Sequence, residues 1–463
     1  METTLQQTVK TAWNKSKWII KGATIGVIAL LMLIPMLYVK SLIFEREKRQ
    51  LEAAHEISGK WAGPQNVIGP IIGVPFWKTE EDTAHRATTT KHIAYFLPDE
   101  LTINASINPR EKHRGIYKVM LYDSKINVKG SFVSPAFDKL NIPADKMIWN
   151  EAFVRISVAD NKGLNDQVQL IWKDSSLELS PPSENADEMI APLKISSADD
   201  LKNVQFSAVI DINGSEQLFF TPVGKSTTVN INSTWQDPSF TGSMLPQKSD
   251  VNNKGFTATW KSMTHKRNFP QQWVDDAFRF DYYFPVLPTA YETDHTERSN
   301  GSINGPGSSI AQSSFGVNLF IPVNGYQKTL RTVKYALLCI LLTFTAFFLI
   351  ETAHKKSVHP FQYGLIGLAL ILFYTLLLSF SEYTGFNTAY GIASAATIGL
   401  IAWFVKSVLR SGKATTVLSV VLVLIYSYIF SLLQLQDYSL LLGSIGLFIT
   451  LAVVMYFSRR LQW

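Results

Sequence analysis

Hydrophobic positions follow two different patterns along this chain. Six stretches are apolar for about the length that crosses a bilayer as a helix: residues 22–39, 334–350, 360–380, 388–405, 414–433 and 439–457. Between the first and the second, the pattern changes to short alternating or β-branched runs separated by turn residues. These are residues 67–76, 101–107, 125–133, 154–158, 204–212, 227–234, 256–260 and 278–284. No helix-period stretch of comparable length interrupts them. The pattern predicts a membrane α-helical bundle of six spans plus a large extracytoplasmic all-β domain, β-sandwich-like and antiparallel. Asn213-Gly214 reads as a hairpin turn, Pro181-Pro182 as a break, and residues 294–309 as a long loop.

The first run makes about 27 Å of helix, close to the hydrocarbon thickness. Lys10, Lys15, Lys17 and Lys21 precede it, and it passes into a charged segment with no small-x-small cleavage site. That predicts an uncleaved anchor rather than a signal peptide. Glu45 and Arg49 then stand four apart, a helical pairing, so the anchor should continue outward as a juxtamembrane helix ending near Gly59. The expected division is 1–21 cytoplasmic, 22–39 transmembrane, 40–330 periplasmic and β-rich, and 331–463 a bundle of five helices. The orientation comes from cations. His354, Lys355, Lys356 and His359, then Lys406, Arg410 and Lys413, then Arg459 and Arg460 mark one side, whereas residues 381–387 and 434–438 hold no Lys or Arg. Both termini are therefore expected in the cytoplasm.

Composition narrows the function. The net charge of +6 comes from cations that are scattered or gathered at helix ends, with no basic stripe interleaved with stacking aromatics, so nucleic acid is not an expected partner. One cysteine, Cys339, lies inside an apolar run, which excludes an intramolecular disulfide and a cysteine zinc cage. No nucleophile elbow, P-loop, dinucleotide fingerprint or HExxH is present. His85 and His92 are seven apart in a polar stretch and read as solvated loop residues before a metal pair. The chain is expected to be no enzyme and to carry no cofactor and no metal.

Two groups of residues remain as binding candidates. Residues 233–246 join a strand to a Pro/Gly/Ser turn with embedded aromatics. There Trp235, Ser239 and Phe240, extended by Trp260, form either a plug of the sandwich or an exposed platform for a glycan, lipid or partner protein. Glu351, Glu382 and Gln434 are the intramembrane polar candidates, expected at span ends within reach of water. If they lined a cavity between the spans, the bundle would be a transporter or channel subunit moving a lipid or small solute. Gly22 and Gly26, and Gly391, Ala395 and Gly399, recur at four-residue spacing and permit either packing inside the bundle or a homo-oligomer.

Several of these segments also carry a resemblance. They are Gly69-Pro70-Ile71-Ile72-Gly73-Val74-Pro75, the 235–246 turn, Arg331 to Tyr335, Gln362 to Leu370, Phe373-Tyr374 through Glu382, and Tyr438 to Trp463. Taken together, the chain resembles the CreD family of bacterial inner-membrane proteins over almost its whole length. Gln236-Asp237 and Gln462 depart from the family pattern, and the first leaves the chemistry of that turn open. The resemblance implies an inner-membrane location and a role in envelope integrity, with membrane lipids and an envelope protein, glycan or lipid as partners. It implies no catalytic residue and no cofactor.

Overall fold

The computed structural model describes residues 20–81, 87–181, 188–282, 284, 308–319, 325–354 and 357–434, with 441–446, 448, 452 and 455 of the last apolar run. The chain divides into two compact units, Met1–Arg49 with Val323–Trp463, and Gln50–Pro322.

Five helices among the described residues are long and apolar enough to cross a membrane. They are α1 (Ile20–Trp61), α3 (Ala336–Ala353), α4 (Pro360–Thr384), α5 (Phe386–Leu409) and α6 (Gly412–Gln434); a short amphipathic α2 (Gly325–Lys334) precedes α3. Four of the five expected C-terminal runs thus become helices within a few residues of their expected ends. The fifth, 439–457, lies mostly outside the described residues, though 441–446 are helical. The juxtamembrane extension is continuous with the anchor, and Arg49 Nη2 donates to Glu45 Oε1 at 2.6 Å.

Within its unit, α1 buries Ile25, Ala29, Met36, Val39, Ile43 and Glu47. These recur at three- to four-residue steps once half-buried Met32 is included, so one seam packs and the rest is left for lipid. Met32 fills the space over Gly367, where an added Cβ would stand 3.0 Å from its Cγ. The small-residue faces are not used this way. A Cβ on Gly22, Gly26, Gly391 or Gly399 would meet nothing within 4 Å, so they do not serve packing inside the described bundle.

The β unit contains β1 (Gln65–Glu81), β2 (Ala87–Phe96), β3 (Glu100–Arg114), β4 (Tyr117–Phe132), β5 (Phe153–Val158) and β6 (Gln169–Trp172). There follow β7 (Ser175–Glu178), β8 (Glu188–Pro192), β9 (Val204–Ser215), β10 (Gln217–Phe220), β11 (Ser226–Ser233) and β12 (Ser239–Gly242). The last are β13 (Lys248–Asn252), β14 (Gly255–Met263), β15 (Gln272–Val274), β16 (Phe278–Arg279), β17 (Ser308–Ser309) and β18 (Phe315–Asn318). One eight-stranded sheet runs β13-β14-β11-β3-β4-β9-β6-β7. The other runs β12-β18-β10-β1-β2-β15, with β5 on β1 and β8 on β5. A single hydrophobic cluster draws on both, from Val67, Val154 and Phe315 on one side to Ile103, Ile210 and Trp260 on the other.

The first sheet shows the expected alternation: Leu101, Ile103, Ala105 and Ile107 of β3 point into the core, and Thr102, Asn104 and Ser106 point out. Three expectations are corrected. The sheets are mixed, because β3 pairs β11 and β1 pairs β10 in parallel. Asn213-Gly214 is no turn; it continues β9, with Gly214 opposite Tyr122, and a Cβ on Gly214 would stand 2.3 Å from the Tyr122 hydroxyl oxygen. Here the glycine makes room for a ring and does not reverse the chain. The expected 278–284 strand shrinks to β16, paired with Ser308 and Ser309; the rest of the expected 294–309 loop lies outside the described residues.

Candidate functional site

The most developed polar site of the β unit is a cleft of about 660 Å³ lined by Tyr95, Arg155, Glu188, Asp276, Arg279, Phe280, Asp281 and Tyr282. The strand that carries Arg155, β5, pairs with the Gly69–Pro75 segment of β1. The register of β1 against β5 shifts between Ile68 and Ile71, opposite Arg155. Gly69 has φ +113°, and a Cβ there would lie 2.7 Å from the Arg155 carbonyl oxygen. The bulge needs a residue without a side chain, and such bulges re-aim the side chains beside them.

Arg155 is 5% exposed. Its Nε donates to Ser157 Oγ at 3.1 Å, its Nη2 stands 2.8 Å from Glu188 Oε1, and its guanidinium lies over the Phe280 ring at 3.8 Å. A buried guanidinium held on three sides is stiff, and the cation–ring contact adds attraction without using a donor. Phe280 in turn packs edge-on against Tyr95, with ring centroids 5.0 Å apart. Burial pushes the Tyr95 hydroxyl above the ordinary phenol range, so it stays a neutral donor and acceptor.

The residue before the lining Asp276 is Asp275, a non-glycine residue at φ +49°. Its Oδ1 accepts from Ile93 N at 2.8 Å and its Oδ2 meets His92 Nδ1 at 2.5 Å, while His92 Nε2 lies 2.7 Å from Thr90 Oγ1. This chain of contacts pins the turn from which residues 276–282 leave. It also corrects the expectation for His92, which is no solvated loop residue but lies part-buried on β2; His85 lies outside the described residues. Among the described residues no three metal-ligating side chains gather.

The 235–246 turn is differently built. Trp235 is half-buried against the core and its Nε1 donates to Asp237 O at 2.9 Å. Phe240 packs edge-on against Phe256 and Trp260, both at 5.6 Å, and Ser239 is exposed on β12. Trp260 is fully buried and stacks on Phe315. It is therefore a core residue and no part of an exposed platform; Phe240 leans on it as a plug.

The intramembrane candidates are not brought together. Glu351 was expected near water, but it is fully buried. Lys21 Nζ donates to Oε1, Val358 N donates to the same oxygen at 2.6 Å, and the Tyr363 hydroxyl donates to Oε2 at 2.7 Å. The chain beyond α3 turns back over the carboxylate, and α1 supplies the cation from the far end of the sequence. Glu382 accepts from the Tyr326 hydroxyl at 3.1 Å, with Arg46 Nε 3.9 Å away. Gln434 is exposed and donates to Asn387 Oδ1 at 3.0 Å. Tyr363 and Glu382 are separated by about 28 Å of α4.

Sequence reasoning missed Arg155 and Glu188. The available signal was an arginine within the apolar run Phe153-Val154-Arg155-Ile156, where a buried charge needs a partner. Comparison with known proteins agrees with the resemblance seen in the sequence. The family "Inner membrane protein CreD" matches residues 17–463. A relative, the inner membrane protein CreD of Escherichia coli (strain K12), is 29% identical over 441 residues, covering 94% of this chain and 91% of the relative.

Proposed function

Because the chain belongs to the CreD family of inner membrane proteins, we propose that it supports cell-envelope integrity as a non-enzymatic, membrane-anchored binding protein. Both termini lie in the cytoplasm on this reading and the β unit lies in the periplasm, as the cation-bearing and cation-free loops alternate along the last third of the chain. A reporter active only in the cytoplasm, fused at Gln436, is expected to be silent; activity there would reverse the orientation.

The observation that carries the binding role is the cleft over Arg155: a stiff, buried guanidinium paired with a part-exposed carboxylate beside an open space large enough for a ligand. The cleft is favoured over the 235–246 turn because it gathers a guanidinium, carboxylates and phenol groups around open space, whereas Trp235 and Phe240 bring no charged group together. The partner is an envelope component in this reading. The test uses cells that lack the protein and are complemented with Asp276→Asn/Tyr282→Ala. Normal insertion with loss of protection against a membrane-perturbing detergent is expected. Protection equal to wild type would sink the assignment of the cleft. The Trp235→Ala/Phe240→Ala pair separates the two surfaces, and is expected to leave protection intact wherever the protein folds.

A further inference from the structure

Resting on that reading of the cleft, we infer that its ligand is a saccharide, an uncharged oligosaccharide of two or three rings. A sugar hydroxyl donates and accepts at once, so it is best met by a strong donor and a strong acceptor side by side. Arg155 and Glu188 present that pair, 2.8 Å apart and fixed in place by Ser157 and Phe280. A guanidinium carries five N–H donors. Nε and Nη2 have the protein partners just named, and the side chain, only 5% exposed, lines the cleft. Tyr95, neutral because it is buried, adds a hydroxyl of the same dual character. Tyr282 adds an aromatic ring for the apolar face of a sugar.

Charge and size remove the rivals. Among the described residues five charged side chains line the cleft, with Arg155 and Arg279 against Glu188, Asp276 and Asp281, so two cations face three anions and these sum to one negative charge. A polyphosphate or other polyanion would meet an unfavourable field. Two of the carboxylates already have cations: Glu188 has Arg155, and Asp281 has Arg279 at 3.2 Å. That leaves Asp276 as the single lining carboxylate with no cation against it among the described residues, too little charge to prefer an ammonium ligand over a hydroxylated one. An acyl chain would have to desolvate the ion pair without replacing its hydrogen bonds. The volume of about 660 Å³ falls within the range of small-molecule sites and accommodates a short oligosaccharide.

The experiment uses the full-length chain in a detergent without a sugar headgroup, titrated calorimetrically with maltotriose, chitotriose, choline and tripolyphosphate. Saturable binding of at least one of the two oligosaccharides is expected. Tyr282 leans partly on the core, so the single Asp276→Asn accompanies the pair; Asp276→Asn/Tyr282→Ala should weaken binding about tenfold or more at an unchanged melting temperature, with choline and tripolyphosphate inert. The preferred sugar then distinguishes a glucan from an N-acetylhexosamine polymer as the source. Absence of binding by both sugars, binding that the double substitution does not change, or a response to choline or tripolyphosphate alone would overturn the saccharide assignment. Two results stay distinguishable. If no sugar binds but the substituted chain fails to protect cells, the cleft serves the envelope through another ligand, such as a protein segment. If no sugar binds and the substituted chain protects, both readings fall.

Discussion

In the membrane unit the buried carboxylate of Glu351 is closed in by Lys21, Val358 N and the Tyr363 hydroxyl. In the β unit the buried guanidinium of Arg155 is held by Ser157 and Glu188 and faces an open cleft. The difference follows from the solvent. Lipid supplies no hydrogen bonds, so a charge at a helix end must find every partner within the protein. A water-facing sheet can leave donors unclaimed, because water fills them until a ligand does. A closed network holds helices together, whereas an open one leaves room for a ligand.

The largest test of that contrast is at Lys21. Lys21→Met leaves the Glu351 carboxylate buried without its cation, and a loss of about 3–5 kcal/mol is expected in thermal or denaturant unfolding in detergent. Exchanging the two charges, Lys21→Glu with Glu351→Lys, should recover part of it. A loss below about 1 kcal/mol would mean that solvent reaches the site and the contrast is wrong. Glu188→Ala makes the matching cut in the β unit. Its side chain is 24% exposed, so water replaces part of what is lost and the expected cost falls to about 1–3 kcal/mol. Replacing both Arg155 and Glu188 by Met should cost less than Glu188→Ala alone.

Glycines sharpen the same comparison. Gly214→Ala drives a methyl into the Tyr122 hydroxyl, which itself donates to Gln217 O at 2.7 Å, and should cost about 1–3 kcal/mol. Gly391→Ala meets open space on α5 and should leave stability unchanged or raise it by about 0.5–1 kcal/mol through helix propensity. Equal costs at the two sites would show that the α5 face is packed.

The smallest expected effect is at Glu216. Burial raises its carboxyl above the usual range, so the folded state binds a proton more readily than the unfolded chain. Above the raised folded value the carboxylate is ionised in both states and the folded state bears the desolvation. As pH falls through that value towards the unfolded value of 4.5, the proton is taken up first by the folded state and the penalty fades. Glu216→Gln is therefore expected to raise the melting temperature at neutral pH, by an amount that shrinks as pH falls. A gain that does not change with pH would assign the effect to packing.

The helices of the bundle and most strands were legible because their signals are local. Eighteen or more apolar residues announce a span wherever they end up. The alternation of Leu101, Ile103, Ala105 and Ile107 announces one buried face before its partner is known. The misread Asn213-Gly214 shows the limit of such signals. The dipeptide carries a turn preference, but the Tyr122 ring opposite it needs a residue without a side chain, and packing overrides the local tendency. Trp260 reads first as core and second as an extension of the platform, and its burial decides for the core.

Composition and periodicity alone therefore established the lipid-solvated helices, the β-rich middle and the exclusion of a disulfide scaffold, because each depends on residues near one another in the chain. Tertiary structure alone decided that Lys21 reaches Glu351, 330 residues away, and that β1 bulges opposite Arg155. It likewise decided that Glu188 and Phe280 close around that guanidinium. Charges and hydrogen bonds act over a few ångströms of space, whatever their separation in sequence.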